Sequence, residues 1–229
     1  MKFRAVLFDA AETLFTTRGS VGEIYGGVAR AYGSTASTDA IEAAFLGQFR
    51  HSGPISSANE KAWWKDVVHS VFSEVGMVRN FDEFFDQVYD GFRDSQGWIL
   101  FPETPEVLTE LKGLNIKLGV ISNFDDRAYS VMRSLGILRF FDAVTLSSET
   151  GYCKPDPQIF HSAVRALGVP AAEILMVGDH IRDDVEAARQ AGITALLIDR
   201  TGRHEGRNHI PRISSLKEVV SKIRRENNV

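Results

Sequence analysis

The stretch Phe3-Arg4-Ala5-Val6-Leu7-Phe8-Asp9-Ala10-Ala11-Glu12-Thr13-Leu14 decides the reading of the chain. A short apolar run ends abruptly on a carboxylate. A run of this length bounded by turn chemistry suits a strand buried on both faces, as in a parallel sheet. Further along, Lys117–Ile121, Ile174–Val177 and Ala195–Ile198 repeat the pattern, and Ala143–Leu146 is a weaker instance. Helical patterns separate them: Glu106–Leu114, Arg127–Leu135, Pro157–Leu167, Asp184–Ala191 and finally Leu216–Ile223. Glycines at 136, 168 and 192 stand where three of these helices should stop.

Strands alternating with helices predict a three-layer, Rossmann-like α/β fold with a mostly parallel sheet covered on both faces. The alternation is broken once. Between about Phe15 and Gly97 no convincing strand is found, and the pattern predicts helices over Val21–Tyr32, Asp39–Arg50, Glu60–Val75 and Asp82–Arg93. Aromatics recur there at helical spacing: Phe45 and Phe49, Trp64 and Phe72, then Phe81, Phe84, Phe85 and Phe92. Core packing explains them better than ligand stacking. The expected organisation is an α/β core of residues 1–15 and 98–229 with an all-helical cap domain inserted at 16–97.

Composition narrows the function classes. The chain has 229 residues, 44% hydrophobic and 24% charged, with a formal net charge of −4. No strong positive field favours nucleic acid or an acidic membrane, so the expected partner is a small molecule. Oligomeric state is not legible. No apolar run approaches the roughly 20 residues of a membrane span, and the N-terminal run is too short for a signal-peptide core. Cys153 is the only cysteine, so no intrachain disulfide can form. The cytoplasm is the default expectation.

Ligands of open parallel sheets bind outside the carboxyl ends of the strands. Asp9-Ala10-Ala11-Glu12-Thr13 follows the first strand, Ser122-Asn123 the second, Gly151-Tyr152-Cys153-Lys154-Pro155 the weaker one and Gly178-Asp179-His180-Ile181-Arg182-Asp183-Asp184 the next. Two carboxylate clusters, a hydroxyl and a lysine thus converge on one edge. Such a set can hold a divalent cation and a phosphoryl group together. Mg²⁺ takes one or two carboxylates plus waters and phosphate oxygens. Lys154 would neutralise phosphate charge, and Ser122 with nearby backbone N–H groups would bind its oxygens. An aspartate can act as nucleophile, forming an acyl-phosphate that water hydrolyses.

These four stretches, in this order, resemble the motifs of the haloacid dehalogenase (HAD) superfamily, and the resemblance runs from Asp9 to Asp184. Each motif alone is weak; four in register with the strands are a strong signal. Ile121-Ser122-Asn123-Phe124-Asp125 and Lys154-Pro155-Asp156-Pro157-Gln158-Ile159-Phe160 look most like the subgroup typified by haloacid dehalogenase-like hydrolase domain-containing protein three. The inserted helices resemble the superfamily's helical cap of the first type, which closes over the active edge. The resemblance implies Mg²⁺-dependent hydrolysis of a small phosphorylated metabolite. Asp9 would be nucleophile and metal ligand, and Ala11 would offer its backbone carbonyl to the metal. Thr13 would support the nucleophile loop. Ser122 and Asn123 would bind phosphate, and Lys154 would pair with phosphate and Asp9. Asp179 would be a metal ligand. Asp184 would complete or back the metal site, with Asp183 the weaker alternative.

One position departs from the pattern. The superfamily's phosphatases carry a second Asp where this chain has Ala11. That Asp protonates the leaving group and later activates water. Glu12 is no obvious replacement. Three explanations stand: a phosphatase with another proton donor, a low-activity or silent binding protein, and a substitution that traps the intermediate. Phosphonatases of the superfamily carry Ala here, together with a cap lysine that forms an imine; Lys61 and Lys65 lie in the insertion but no motif supports them in that role. The superfamily's dehalogenases place an aromatic residue here and use no metal, and Gly178-Asp179 argues against them. Asp183 and Asp184 could also simply cap the helix they open, and His180 reads as a loop residue.

Overall fold

A computed structural model describes residues 1–51, 60–204, 206 and 209–228, with side chains described at all of them except 49–51. The chain divides into two compact units. One comprises Met1–Thr16, Leu100–Asp126 and Gly136–Val229; the other comprises Thr17–Ile99 and Arg127–Leu135.

The first unit is built on a six-stranded sheet. Its strands are β1 (Ala5–Phe8), β4 (Lys117–Ser122), β5 (Ala143–Leu146), β6 (Ile174–Gly178), β7 (Thr194–Ile198) and β8 (Arg212–Ile213), in the order β5-β4-β1-β6-β7-β8. Every ladder is parallel. Five of these strands answer to the apolar runs of the sequence; β8, two residues long, was not anticipated, because so short a strand carries no periodicity.

The two faces of the sheet are buried by helices, as continuous apolar strands require. Leu7, Ile121, Ile174 and Met176 pack with Phe160, Ala163 and Leu167 of α8 (Pro157–Leu167) and with Val185 and Ala188. Val107, Leu108 and Leu111 of α5 (Thr104–Gly113) and Val219, Val220 and Ile223 of α10 (Lys217–Asn227) are buried as well. The chain runs from β1 outward to β4 and β5, then returns to place β6 on the other side of β1. Strand order therefore reverses beside β1, and the crevice at such a reversal is where open α/β sheets take ligands. Asp9 is the first residue beyond that strand.

The second unit is helical: α1 (Val21–Ala29), α2 (Thr38–His51), α3 (Glu60–Val75) and α4 (Phe81–Gly91), joined by α6 (Arg127–Ser134). Ser20 and Glu23 form a capping box that fixes the start of α1. Phe45, Phe72, Phe84 and Phe85 are buried in its core, and Trp63, Trp64, Phe81 and Phe92 pack against them. The aromatic spacing thus reports a core, as expected; the Phe49 side chain lies outside the described residues.

Three expectations are corrected. A strand does occur at the start of the insertion: β2 (Phe15–Thr17) pairs with β3 (Trp98–Leu100) in a two-stranded sheet. Three residues are too few to show alternation. The helix expected over Asp184–Ala191 begins earlier, as a π-helical turn at Ile181–Glu186 that continues into α9 (Ala187–Gln190). Its cap is His180, whose Nδ1 accepts the Asp183 N–H at 3.2 Å. Asp183 and Asp184 are in its first turn and do not cap it.

Candidate active site

β1 delivers Asp9 buried, 7% exposed, with its N–H bonded to Val177 O of β6 at 2.9 Å. The chain then turns tightly. Leu14 and Phe15 N–H groups return to Ala10 O, and Glu12 N–H reaches Phe15 O at 2.7 Å. The turn requires a left-handed residue at Glu12 (φ 58°), a strained conformation for a side chain longer than glycine. Glu12 is exposed and its carboxylate accepts the Thr16 hydroxyl at 2.7 Å.

At the end of β6, Gly178 has a steric reason. A Cβ there would overlap the Asp184 carboxylate, which lies directly over the backbone. The π-helical turn brings Asp184 back into this place. Its Oδ2 accepts the His180 N–H at 2.9 Å, and its Oδ1 accepts from Lys154 Nζ at 2.6 Å. The same ammonium donates to Asp9 Oδ1 at 2.6 Å. Lys154 is itself placed by Asn123. Asn123 Nδ2 donates to Lys154 O at 2.9 Å, and Lys154 N–H donates to Asn123 Oδ1 at 2.6 Å.

Asp9, Asp179 and Asp184 offer oxygens that all lie within 4.8 Å of one another. Three carboxylates share one ammonium, and the electrostatics record the imbalance. Burial pushes the Asp9 carboxyl up to about 6; Lys154 opposes this and Asp184 adds to it. Burial and then the charges of Asp9 and Asp184 push Asp179 up to about 8. Burial alone would lower the Lys154 pKa, but Asp184 and Asp9 outweigh it and hold the ammonium above its ordinary value. A divalent cation would relieve this repulsion. Hard oxygen donors in this number suit Mg²⁺. Asp9 and Asp179 are the better placed donors, because both Asp184 oxygens already hold hydrogen bonds. No donor among the described residues engages the Ala11 carbonyl, so it too is free to take a cation.

The remaining expected residues fall as follows. Ser122 ends β4, 4% exposed, and its hydroxyl engages no partner among the described residues. Asn123 uses its amide on the Lys154 backbone, which makes it an orienting group for that lysine. Thr13 is fully buried and its hydroxyl has no hydrogen-bond partner among the described residues; it is through its carbonyl that Thr13 is held, by Arg200 Nη2 at 2.9 Å. Asp183 points to the exposed side chain of His180 at 3.4 Å and is not in the carboxylate cluster. Sequence reasoning missed Arg200 altogether. It stands two residues beyond β7, but nothing local marks an arginine whose partners lie 187 and 97 positions away.

In the helical unit, Lys61 pairs with Asp86 at 2.6 Å and Lys65 with Asp82 at 2.9 Å; Lys65 is half-buried and the other three are exposed. The Lys65 pKa is raised, first by the hydrogen bond it donates to Asp82. An imine-forming lysine needs the opposite shift.

Comparison with known proteins bears on the family and the fold. Residues 3–192 match the family model described as haloacid dehalogenase-like hydrolase. The haloacid dehalogenase-like hydrolase domain-containing protein 3 of Danio rerio is 30% identical over 96% of both chains. A phosphoserine phosphatase of Thermus thermophilus is 35% identical over 56% of this chain and 53% of its own. Among solved structures, the L-2-haloacid dehalogenase of Xanthobacter autotrophicus superposes with a TM-score of 0.75 at 19% identity, covering 97% of this chain and 98% of its own. That likeness concerns the fold.

Proposed function

We propose that this chain, which belongs to the haloacid dehalogenase-like hydrolase family, hydrolyses small phosphate monoesters through an aspartyl-phosphate at Asp9, with Mg²⁺ as cofactor. The observation that carries the reading is the buried cluster: one ammonium at 2.6 Å from both Asp9 and Asp184, with Asp179 beside them. A phosphatase relative over part of the chain supports it.

In this reading the Asp9 carboxylate attacks phosphorus, and the bond to the leaving oxygen breaks with its electron pair on that oxygen. Lys154 and the free Ser122 hydroxyl hold phosphate oxygens, and Asn123 and Asp184 hold Lys154. Mg²⁺, bound by Asp9, Asp179 and the Ala11 carbonyl, would screen the like charges of nucleophile and phosphate. Water then attacks the acyl-phosphate, releasing inorganic phosphate and returning the carboxylate. Ala11 has no proton to give, so the leaving oxygen takes its proton from solvent or from the substrate. The substrate is a small phosphorylated metabolite. No helix among the described residues is long and apolar enough to cross a membrane, and a chain whose single cysteine, Cys153, can form no intrachain disulfide suits the reducing cytoplasm.

Metal-replete protein should hydrolyse para-nitrophenyl phosphate well above an Asp9→Asn control. Equal rates for the two would end this reading. A second reading is favoured by Ala11: a silent binding protein using the same pocket. It expects Mg²⁺ and phosphate to bind, measurable by calorimetry, with no turnover. The ion-paired Lys61 and Lys65 argue against a phosphonatase.

A further inference from the structure

The Asp9 loop is strained at Glu12, and strain persists only where the surroundings over-determine the backbone. The residues that hold it come from two separate segments. Arg200 Nη2 donates to Thr13 O at 2.9 Å. Immediately after, Leu14 O accepts from the buried Thr104 hydroxyl at 2.8 Å and from Phe101 N–H at 3.3 Å. Two successive carbonyls are thereby gripped, four and five residues beyond Asp9.

Arg200 is itself fixed on three sides. Its Nη1 donates to Glu103 Oε1 at 2.6 Å, and its guanidinium carbon lies 3.5 Å from the centroid of the Phe101 ring. Side-chain exposure of the pair is only 18% and 11%. Glu103 is in turn held at the start of α10, accepting from Ser215 Oγ at 3.3 Å and Leu216 N–H at 3.4 Å. Holding this place is costly, since among the described residues Arg200 Nε is buried without a partner and so is the neighbouring Thr13 hydroxyl. A planar fork that stacks and donates in two directions cannot be replaced by lysine. None of these contacts is made by the carboxylates, the lysine or the hydroxyl that would meet metal and phosphate.

We propose that Arg200, braced by Glu103 and Phe101, is a positioning residue for the nucleophile loop, fixing the turn from Asp9 to Leu14 through the Thr13 carbonyl. The kinetic part of this inference rests on the proposed phosphatase reading; the structural part does not. Asp9 and the Ala11 carbonyl both lie in the turn, so loosening it misplaces them without touching the phosphate-binding groups.

The test compares the full chain with Arg200→Met and Arg200→Lys by amide hydrogen–deuterium exchange, with Mg²⁺-supported kinetics on para-nitrophenyl phosphate alongside. In Arg200→Met the Glu12, Leu14 and Phe15 amides should exchange at least about tenfold faster while β6 keeps its protection. Turnover should fall at least about tenfold with KM within about threefold, and Arg200→Lys should recover only part of it. Unchanged exchange in the loop, or faster exchange spread equally through β6, overturns the proposal. Should Arg200→Met fail to fold, the same two patterns in Arg200→Lys decide it. If the unmutated chain shows no turnover, the phosphatase reading falls, and the exchange result alone still decides the role of Arg200.

Discussion

The Ala11 side chain has no proton to give, in a loop that also leaves the buried Thr13 hydroxyl without a partner among the described residues. The consequence depends on the leaving group. Nitrophenolate departs without a proton, whereas a sugar or glycerol alkoxide does not. A positioned acid or base contributes about 10²–10⁴ in rate. Ala11→Asp should therefore accelerate alkyl phosphate hydrolysis by about that factor and nitrophenyl phosphate hydrolysis by much less. Steady-state rates on both ester types, with Mg²⁺ saturating, check this; equal gains on the two would show that proton donation is not what Ala11 lacks. At this scale the sequence was informative where chemistry sits at strand ends. Asp9, Ser122, Lys154, Asp179 and Asp184 could each be located from the run that precedes it. What Asn123 and Asp184 do with their polar atoms could not be read, because it depends on which neighbour reaches them first in space.

The element that organises the site is the turn from β6 into the π-helical segment. Asp184 can lie over the backbone of residue 178 only because that residue has no Cβ. Gly178→Ala should expel the carboxylate, release one of the two bonds to Lys154 and cost about 1–3 kcal/mol, the usual penalty for a buried polar group losing its partner. Urea denaturation should register the loss, and aryl phosphatase rate should fall with it. A variant with unchanged midpoint and rate would mean the carboxylate has another resting place. The long parallel strands were legible as apolar runs; β2, β8 and the π turn were not. Strands of two or three residues have no period, and a π turn differs from an α turn by hydrogen bonds that residue order does not announce.

For the whole molecule, the carboxylate cluster is a burden on folding. An unfolded Asp titrates near about 3.9, whereas Asp9 is pushed up to about 6 and Asp179 to about 8. Between about pH 4 and 8 these two carboxyls therefore hold more protons in the folded chain than in the unfolded one. Their contribution to the stability of the metal-free protein falls as pH rises through that window. In the proposed reading Mg²⁺ would bind the ionised cluster, so it should raise the melting temperature strongly at pH 8 and little at pH 5. Thermal melts with and without Mg²⁺ at both values test this, and an equal rise at the two would contradict it. The same burden has an evolutionary side. In a lineage released from selection for catalysis, changes at this pair are unequal in cost. A larger residue at Gly178 meets the Asp184 carboxylate, whereas a smaller residue at position 184 first would remove that clash. The pair at 178 and 184 would therefore record how far a descendant had travelled from the ancestral site.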